Sequence, residues 1–225
     1  MKNKISKIIC ITGIILITFA VCLLIKDIHI ENKSNQTMEE ELEKYKNVLN
    51  QKDDAVQENG SIATEIIDMF NEIVEESYSD SGAYTELAES IEGPKESTIT
   101  AYYGILSIDD LQLETLIQFE SKTDIYPKLK VSPMIAYHEE ETDRMVICGH
   151  NFKKHFGPLH DAKIESTVKL KTFSGEENQY NIEKVETISP YSVDEVMYSE
   201  YDLVLYTCIS NGQKRIAVYC QKQEV

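Results

Sequence analysis

From about residue 98 onward the chain breaks into short runs rich in β-branched, aromatic and leucine residues, each bounded by turn formers. No other feature restricts the fold as much. The runs fall at 99–108, 113–117, 134–137, 145–148, 167–173, 180–188, 203–208 and 214–220. Eight short strands in about 125 residues, with few long helical patterns between them, predict a mainly β domain closed or nearly closed into a barrel. Short helices are expected around 122–129, after His150, and at 193–197. There is no internal repeat and no low-complexity tract.

The N-terminus carries a different signal. Lys2, Lys4 and Lys7 precede an uncharged, largely apolar run over 8–25. That length is close to the shortest helix able to cross a hydrocarbon core roughly 30 Å thick. A cleaved signal sequence has a shorter apolar region and ends in small residues, whereas this run ends in Leu23-Leu24-Ile25-Lys26. The expectation is therefore an uncleaved single-pass anchor. Three lysines before it, against the balanced Lys26 and Asp27 after it, place 1–7 in the cytoplasm and the rest outside. The alternative, a cleaved signal peptide, leaves the rest outside as well. Residues 26–60 are polar and charged, with Leu42, Tyr45, Leu49 and Val56 at loosely helical spacing, and are expected to form a stalk. Asn59-Gly60 breaks that pattern. Over 61–97 a helical extension is expected, capped by Ser61, with Ile62, Ile66, Phe70, Ile73 and Val74 on one face. The barrel domain then occupies 98–225. A net charge of -17 excludes nucleic acid as a partner, because phosphate binding needs clustered lysine and arginine. It also gives no general attraction to anionic headgroups.

Five cysteines are present, two of them (Cys10 and Cys22) within the apolar run. Cys148, Cys208 and Cys220 form an odd set outside the membrane, so at least one is an unpaired thiol. The apolar strand Leu203-Val204-Leu205-Tyr206-Thr207 delivers Cys208 at its end. Ser210-Asn211-Gly212-Gln213 is a hairpin signal, and Arg215 follows on the returning strand. A cation brought back beside a cysteine favours the thiolate, which is the nucleophile. Val146-Ile147-Cys148-Gly149-His150-Asn151 places a histidine at the exit of another strand, where it can accept and donate protons near neutral pH. On composition alone His138, His155 and His160 are equally eligible.

The pairing of Cys148-Gly149-His150-Asn151 with Leu205-Tyr206-Thr207-Cys208 and then Arg215 resembles the sortase family, the cysteine transpeptidases of Gram-positive bacteria. Phe156-Gly157-Pro158-Leu159 is similar to the family's short helix after the histidine, and Tyr103-Gly104-Ile105-Leu106-Ser107-Ile108 to its opening strand. The similarity covers roughly 98–222. Val204 stands in place of the first threonine of the family's Thr-Leu-X-Thr-Cys motif, and Glu165-Ser166 where many members have Gly-Asp. The short segment between the 180–188 strand and Cys208 leans away from class B, and the absence of a recognisable lid away from class C, which leaves a class A- or D-like barrel.

The resemblance implies an eight-stranded sortase barrel and a mechanism. Cys208 attacks the Thr–Gly carbonyl of a Leu-Pro-X-Thr-Gly-like sorting signal on a surface protein and forms a thioacyl enzyme. His150 protonates the leaving amine and then deprotonates the incoming one, supplied by a peptidoglycan precursor or a pilin lysine. Arg215 holds the oxyanion or substrate carbonyl, and Thr207 assists with its backbone or hydroxyl. Lys214 is the alternative to Arg215, since strand alternation turns only one of the two towards the thiol.

No cofactor is expected. The acidic run His138-Glu139-Glu140-Glu141-Thr142-Asp143 is read as a solvated loop, with a weak calcium site at Glu139, Glu140 and Glu141 as the alternative. Cys148 is read as a buried core thiol, with an inactivating disulfide to Cys208 as the alternative. Two other functions compete with the transpeptidase: an extracytoplasmic cysteine peptidase or amidase that passes its acyl group to water, and a noncatalytic adhesion or sensor ectodomain.

Overall fold

The structure, a computed structural model, describes residues 2–58, 102–120, 125–139, 141–209 and 212–223. Alternation along the strands decides which side chains meet. In β5 (Thr167–Thr172) Val168, Leu170 and Thr172 are buried, while the lysines between them face outward. The same period-2 pattern turns Leu106 of β1 (Tyr102–Ile108), Ile117 of β2 (Leu113–Gln118) and Ile147 of β4 (Arg144–Gly149) into one interior. Leu205 of β7 (Leu203–Ile209) and Val218 of β8 (Lys214–Lys222) join them there. With β3 (Met134–Glu139) and β6 (Glu177–Ile188), the eight strands close a barrel in the order β1-β2-β3-β4-β7-β8-β6-β5. Each strand thereby has a neighbour on both sides.

The strand ladder is antiparallel except at two places. β4 and β7 run parallel over five residue pairs, and β2 touches β3 in parallel through the single pair Gln118–Met134. At that weak seam the Gln118 side chain donates to the carbonyls of Lys128 and Ser132, both at 2.9 Å. It thereby pins the segment that follows α2 (Ile125–Leu129). A second apolar layer lies outside the barrel wall, where Val146, Val204, Ala217 and Tyr219 pack with Ile188 and Val196. Val196 comes from α3 (Val193–Met197), which covers this face.

Each of the eight expected strands is present, displaced by a few residues at its ends. The 193–197 helix has the expected bounds, and the turn after His150 is a 3₁₀ segment, Gly157–Asp161. The extension expected over 61–97 lies outside the described residues, as do the first residues of the 99–108 strand and of the 122–129 helix.

The N-terminal segment differs from its expected form. α1 (Lys2–Glu58) is one unbroken helix through apolar run and stalk alike. Its apolar part is long and apolar enough to cross a membrane, and none of it is buried against the barrel. The part expected to be a solvated stalk is instead packed along the barrel. Met38 and Leu42 are buried against Tyr102, Ile105, Leu116 and Phe173, and Tyr45 makes edge contact with the Tyr102 ring at 5.0 Å. Met38, Leu42 and Tyr45 recur at four- and three-residue steps, the spacing of one helix face. Ion pairs flank the seam: Lys46 with Glu114 at 2.5 Å and Lys154 with Glu39 at 2.6 Å.

Candidate active site

Parallel strands end at the same rim of a sheet, and the β4–β7 pair ends with Gly149 opposite Thr207. The residues that follow, His150 and Cys208, are therefore delivered to one rim. β8 returns antiparallel with Arg215 directly opposite Cys208, so the two share a face. Lys214 pairs with Ile209 and takes the other face. Parity also sets depth. Leu203, Leu205 and Thr207 point into the barrel, while Val204, Tyr206 and Cys208 point to the outer apolar layer.

His150, Cys208 and Arg215 line one cleft of about 690 Å³, together with Cys148, Tyr206, Thr207 and Gly212. Its opposite wall comes from the loop around α3, through Ile188, Ser189, Pro190, Val193 and Met197. Asp27 of α1 completes the rim. His138, His155 and His160 lie elsewhere: His138 bonds Asp143 at 3.2 Å, His155 is buried against α1, and His160 is exposed beside Asp161. The tertiary structure thus separates His150 from three residues that composition could not distinguish from it.

Each member of the cleft is held by neighbours. The glycine before His150 has a packing reason: a Cβ at Gly149 would stand 2.9 Å from the Phe156 ring. The His150 ring stacks on Phe152 at 4.8 Å and 23°, and Phe152 in turn meets His155 at 5.3 Å. Burial, with the charge of Lys130 as a smaller cause, lowers the pKa of His150. Thr207 donates its hydroxyl to the Gly149 carbonyl at 2.9 Å. That proton is directed at β4 rather than at the cleft, so the hydroxyl braces β7 against β4. Arg215 donates through Nη1 to the carbonyls of Gly212, at 2.8 Å, and Lys214, at 3.1 Å. Gly212 carries a φ of +82°, the left-handed conformation that glycine adopts without strain.

The three thiols of the barrel domain, Cys148, Cys208 and Cys220, are free and differ in environment. Cys220 lies inside the barrel, where burial pushes its pKa far up. Cys148 is buried on the cleft face with its sulfur hydrogen-bonded to Tyr206, and burial pushes it up to about 11. Cys208 is half-buried, lines the cleft and faces the only arginine among its lining residues. A reactive thiol needs access and a nearby cation, and Cys208 alone of the three has both. Tyr206 and Phe152 were not singled out by the sequence. Parity with Cys208 gives a signal for the first, and a two-residue offset from His150 for the second.

At the acidic loop, Glu139 accepts from Thr142 at 2.6 Å and Arg144 at 3.5 Å, while Glu140 lies outside the described residues. Among the described residues no three metal-binding side chains converge.

No curated protein matches the chain. Among solved structures it is similar to sortase A from Listeria monocytogenes, at 16% identity and TM-score 0.48, covering 55% of this chain and 88% of that one. It is similar to Streptococcus agalactiae sortase C1 in complex with MTSET, at 16% and 0.49, covering 77% and 96%. It is also similar to Clostridium perfringens sortase C with the C-terminal cell wall sorting motif, at 14% and 0.49, covering 80% and 100%. A family model described as the sortase domain matches residues 106–223, more than half of the chain and inclusive of His150, Cys208 and Arg215. The chain belongs to the sortase family.

Proposed function

We propose that this sortase cleaves a Leu-Pro-X-Thr-Gly-like sorting signal between Thr and Gly and transfers the acyl part to an amine. The observation that carries the proposal is the direct cross-strand pairing of Cys208 with Arg215, with His150 on the same cleft. The lowered pKa of His150 favours the neutral ring, ready to take a proton. The Cys208 sulfur attacks the threonine carbonyl carbon as its proton passes to His150. Arg215 stabilises the oxyanion through its fork of donors. Collapse breaks the C–N bond, and His150 returns the proton to the departing glycine amine, leaving a thioester on Cys208. An incoming amine attacks the thioester and gives a proton to His150. The C–S bond then breaks, and the proton returns to the Cys208 sulfur. No step calls for a metal, so turnover in chelator should equal turnover without it.

The apolar helix and its lysine flank support a single-pass anchor with the N-terminus inside and the barrel outside. The acceptors this location offers are peptidoglycan-precursor and pilin-lysine amines. The test uses full-length protein in detergent, a panel of Leu-Pro-X-Thr-Gly-like peptides and added amines, with Cys208→Ala as control. Cleavage with amine transfer, lost in the variant, is expected. Hydrolysed product whatever amine is supplied would make the chain a peptidase. A folded protein with no turnover and slow, ordinary alkylation at Cys208 would make it a noncatalytic ectodomain.

A further inference from the structure

α1 works as a ruler between the apolar run and the cleft. The run ends at Ile25, and Asp27, two residues on, already lines the cleft that holds Cys208 and His150. At a rise of about 1.5 Å per residue the separation along the axis is only about 3 Å. The helix then runs along the barrel to Tyr45, which packs on Phe173 beside the turn between β5 and β6, with ring centroids 4.9 Å apart. That contact is roughly 27 Å farther along the axis. The barrel is therefore strapped to the helix with its catalytic rim next to the end of the apolar run.

The same rim carries exposed apolar and aromatic side chains. Tyr191 is 91% exposed, Tyr198 74% and Val193 57%, all on the loop that supplies Pro190, Ser192 and Met197 to the cleft wall. On α1, Ile25 is 60% exposed and Ile28 58%, on either side of Asp27. Tyrosine suits the boundary between headgroups and acyl chains, because its ring is apolar and its hydroxyl wet. Asp194 and Glu195 lie on the same loop, so attraction to anionic lipid does not hold it there, and the contact rests on apolar and aromatic groups.

We infer that the catalytic cleft opens at the bilayer surface, with Tyr191, Val193 and Tyr198 of the 189–198 loop resting in the lipid interface. This rests on reading 8–25 as the membrane span, and its consequence for substrates rests on the transpeptidase reading. The scissile bond is then presented close to the headgroups, which favours substrates that are themselves held in the same membrane.

The protein has no tryptophan, so one introduced indole reports alone. Tyr191→Trp and Tyr198→Trp are compared with Glu177→Trp, which sits at the far end of β6 from Ile188, roughly 35 Å away along the strand. Each full-length variant is placed in phosphatidylcholine vesicles containing acyl-chain-brominated lipid. Emission from positions 191 and 198 should fall by about half or more, independently of salt, with position 177 unaffected. Vesicle flotation and peptide turnover are measured on the same samples. A chain that floats and turns over peptide, yet is unquenched at 191 and 198, overturns the inference while leaving the transpeptidase intact. Emission that responds only to protein density assigns the loop to a second copy and overturns it too. A chain that does not float with vesicles removes the anchor, and the inference with it.

Discussion

Arg215 illustrates how much one strand position decides. Its guanidinium is tied to the hairpin carbonyls and faces Cys208 across the ladder, so charge and orientation are supplied together. Arg215→Ala should lower kcat by about 10²–10³, and Arg215→Lys should restore little, because an ammonium lacks the planar fork; steady-state turnover of the best peptide measures both. His150 makes a second prediction. Burial lowers its pKa, and in the proposed mechanism the neutral ring accepts the thiol proton, so the acid limb of kcat/KM should fall below the ordinary value of 6.5. A limb at or above 6.5 would contradict that role. A third concerns Glu165, which departs from the family's usual glycine and holds a φ of +72°. A side chain there strains the backbone, so Glu165→Gly should raise stability by about 1 kcal/mol in denaturant unfolding. The neighbouring departure has a local partner of its own, since Ser166 donates to Asp110 at 2.7 Å.

Among the elements, α1 shows where local pattern and tertiary contact part ways. Its polar residues at 39–46 read as a solvated helix, and its apolar positions are too few to predict a docking face unaided. The barrel supplies what the helix lacks. Ser34, buried, donates to the Lys130 carbonyl and bonds His155 at 3.1 Å. Asn35 and Glu31 accept from the Lys154 and Lys153 backbone at 3.0 and 3.3 Å. The contacts to Lys153, Lys154 and His155 fall on the loop that carries His150 and Phe152, so the helix steadies that loop from behind. Met38→Ala should destabilise by about 2–5 kcal/mol through the cavity it leaves. Ser34→Ala should cost about 1–3 kcal/mol by removing a buried hydrogen-bonding partner. Thermal unfolding of full-length protein in detergent measures both, and no change in either would mean that the helix does not dock. The strands needed no such help: each is a short run rich in β-branched, aromatic or leucine residues bounded by turn formers, and their ends moved by only a few residues.

For the molecule as a whole, the buried ring of His155 couples folding to pH. Burial, with the charge of His150 as the next cause, pushes its pKa down to about 3 from 6.5. The unfolded chain binds the proton more readily than the fold does. Stability is therefore complete above pH 6.5 and is lost as pH falls from there towards 3, and His150 adds a change of the same sign. The protein should lose about 1 kcal/mol between pH 7 and pH 5.5. Urea midpoints at the two pH values test this, and His155→Gln should flatten most of the difference.

The sequence by itself determined the eight strands, the apolar run and the Cys208–Arg215 hairpin, because each is written in contiguous residues whose periodicity and turn chemistry act locally. Only the tertiary structure decided which of the histidines shares the cleft, that the Thr207 hydroxyl serves as a strand brace, and that α1 lies along the barrel. Those depend on the parallel β4–β7 pairing and on a packing face shared by segments far apart in the chain, as Met38 and Phe173 are. A contact between distant segments exists only once closure of the barrel has brought them together.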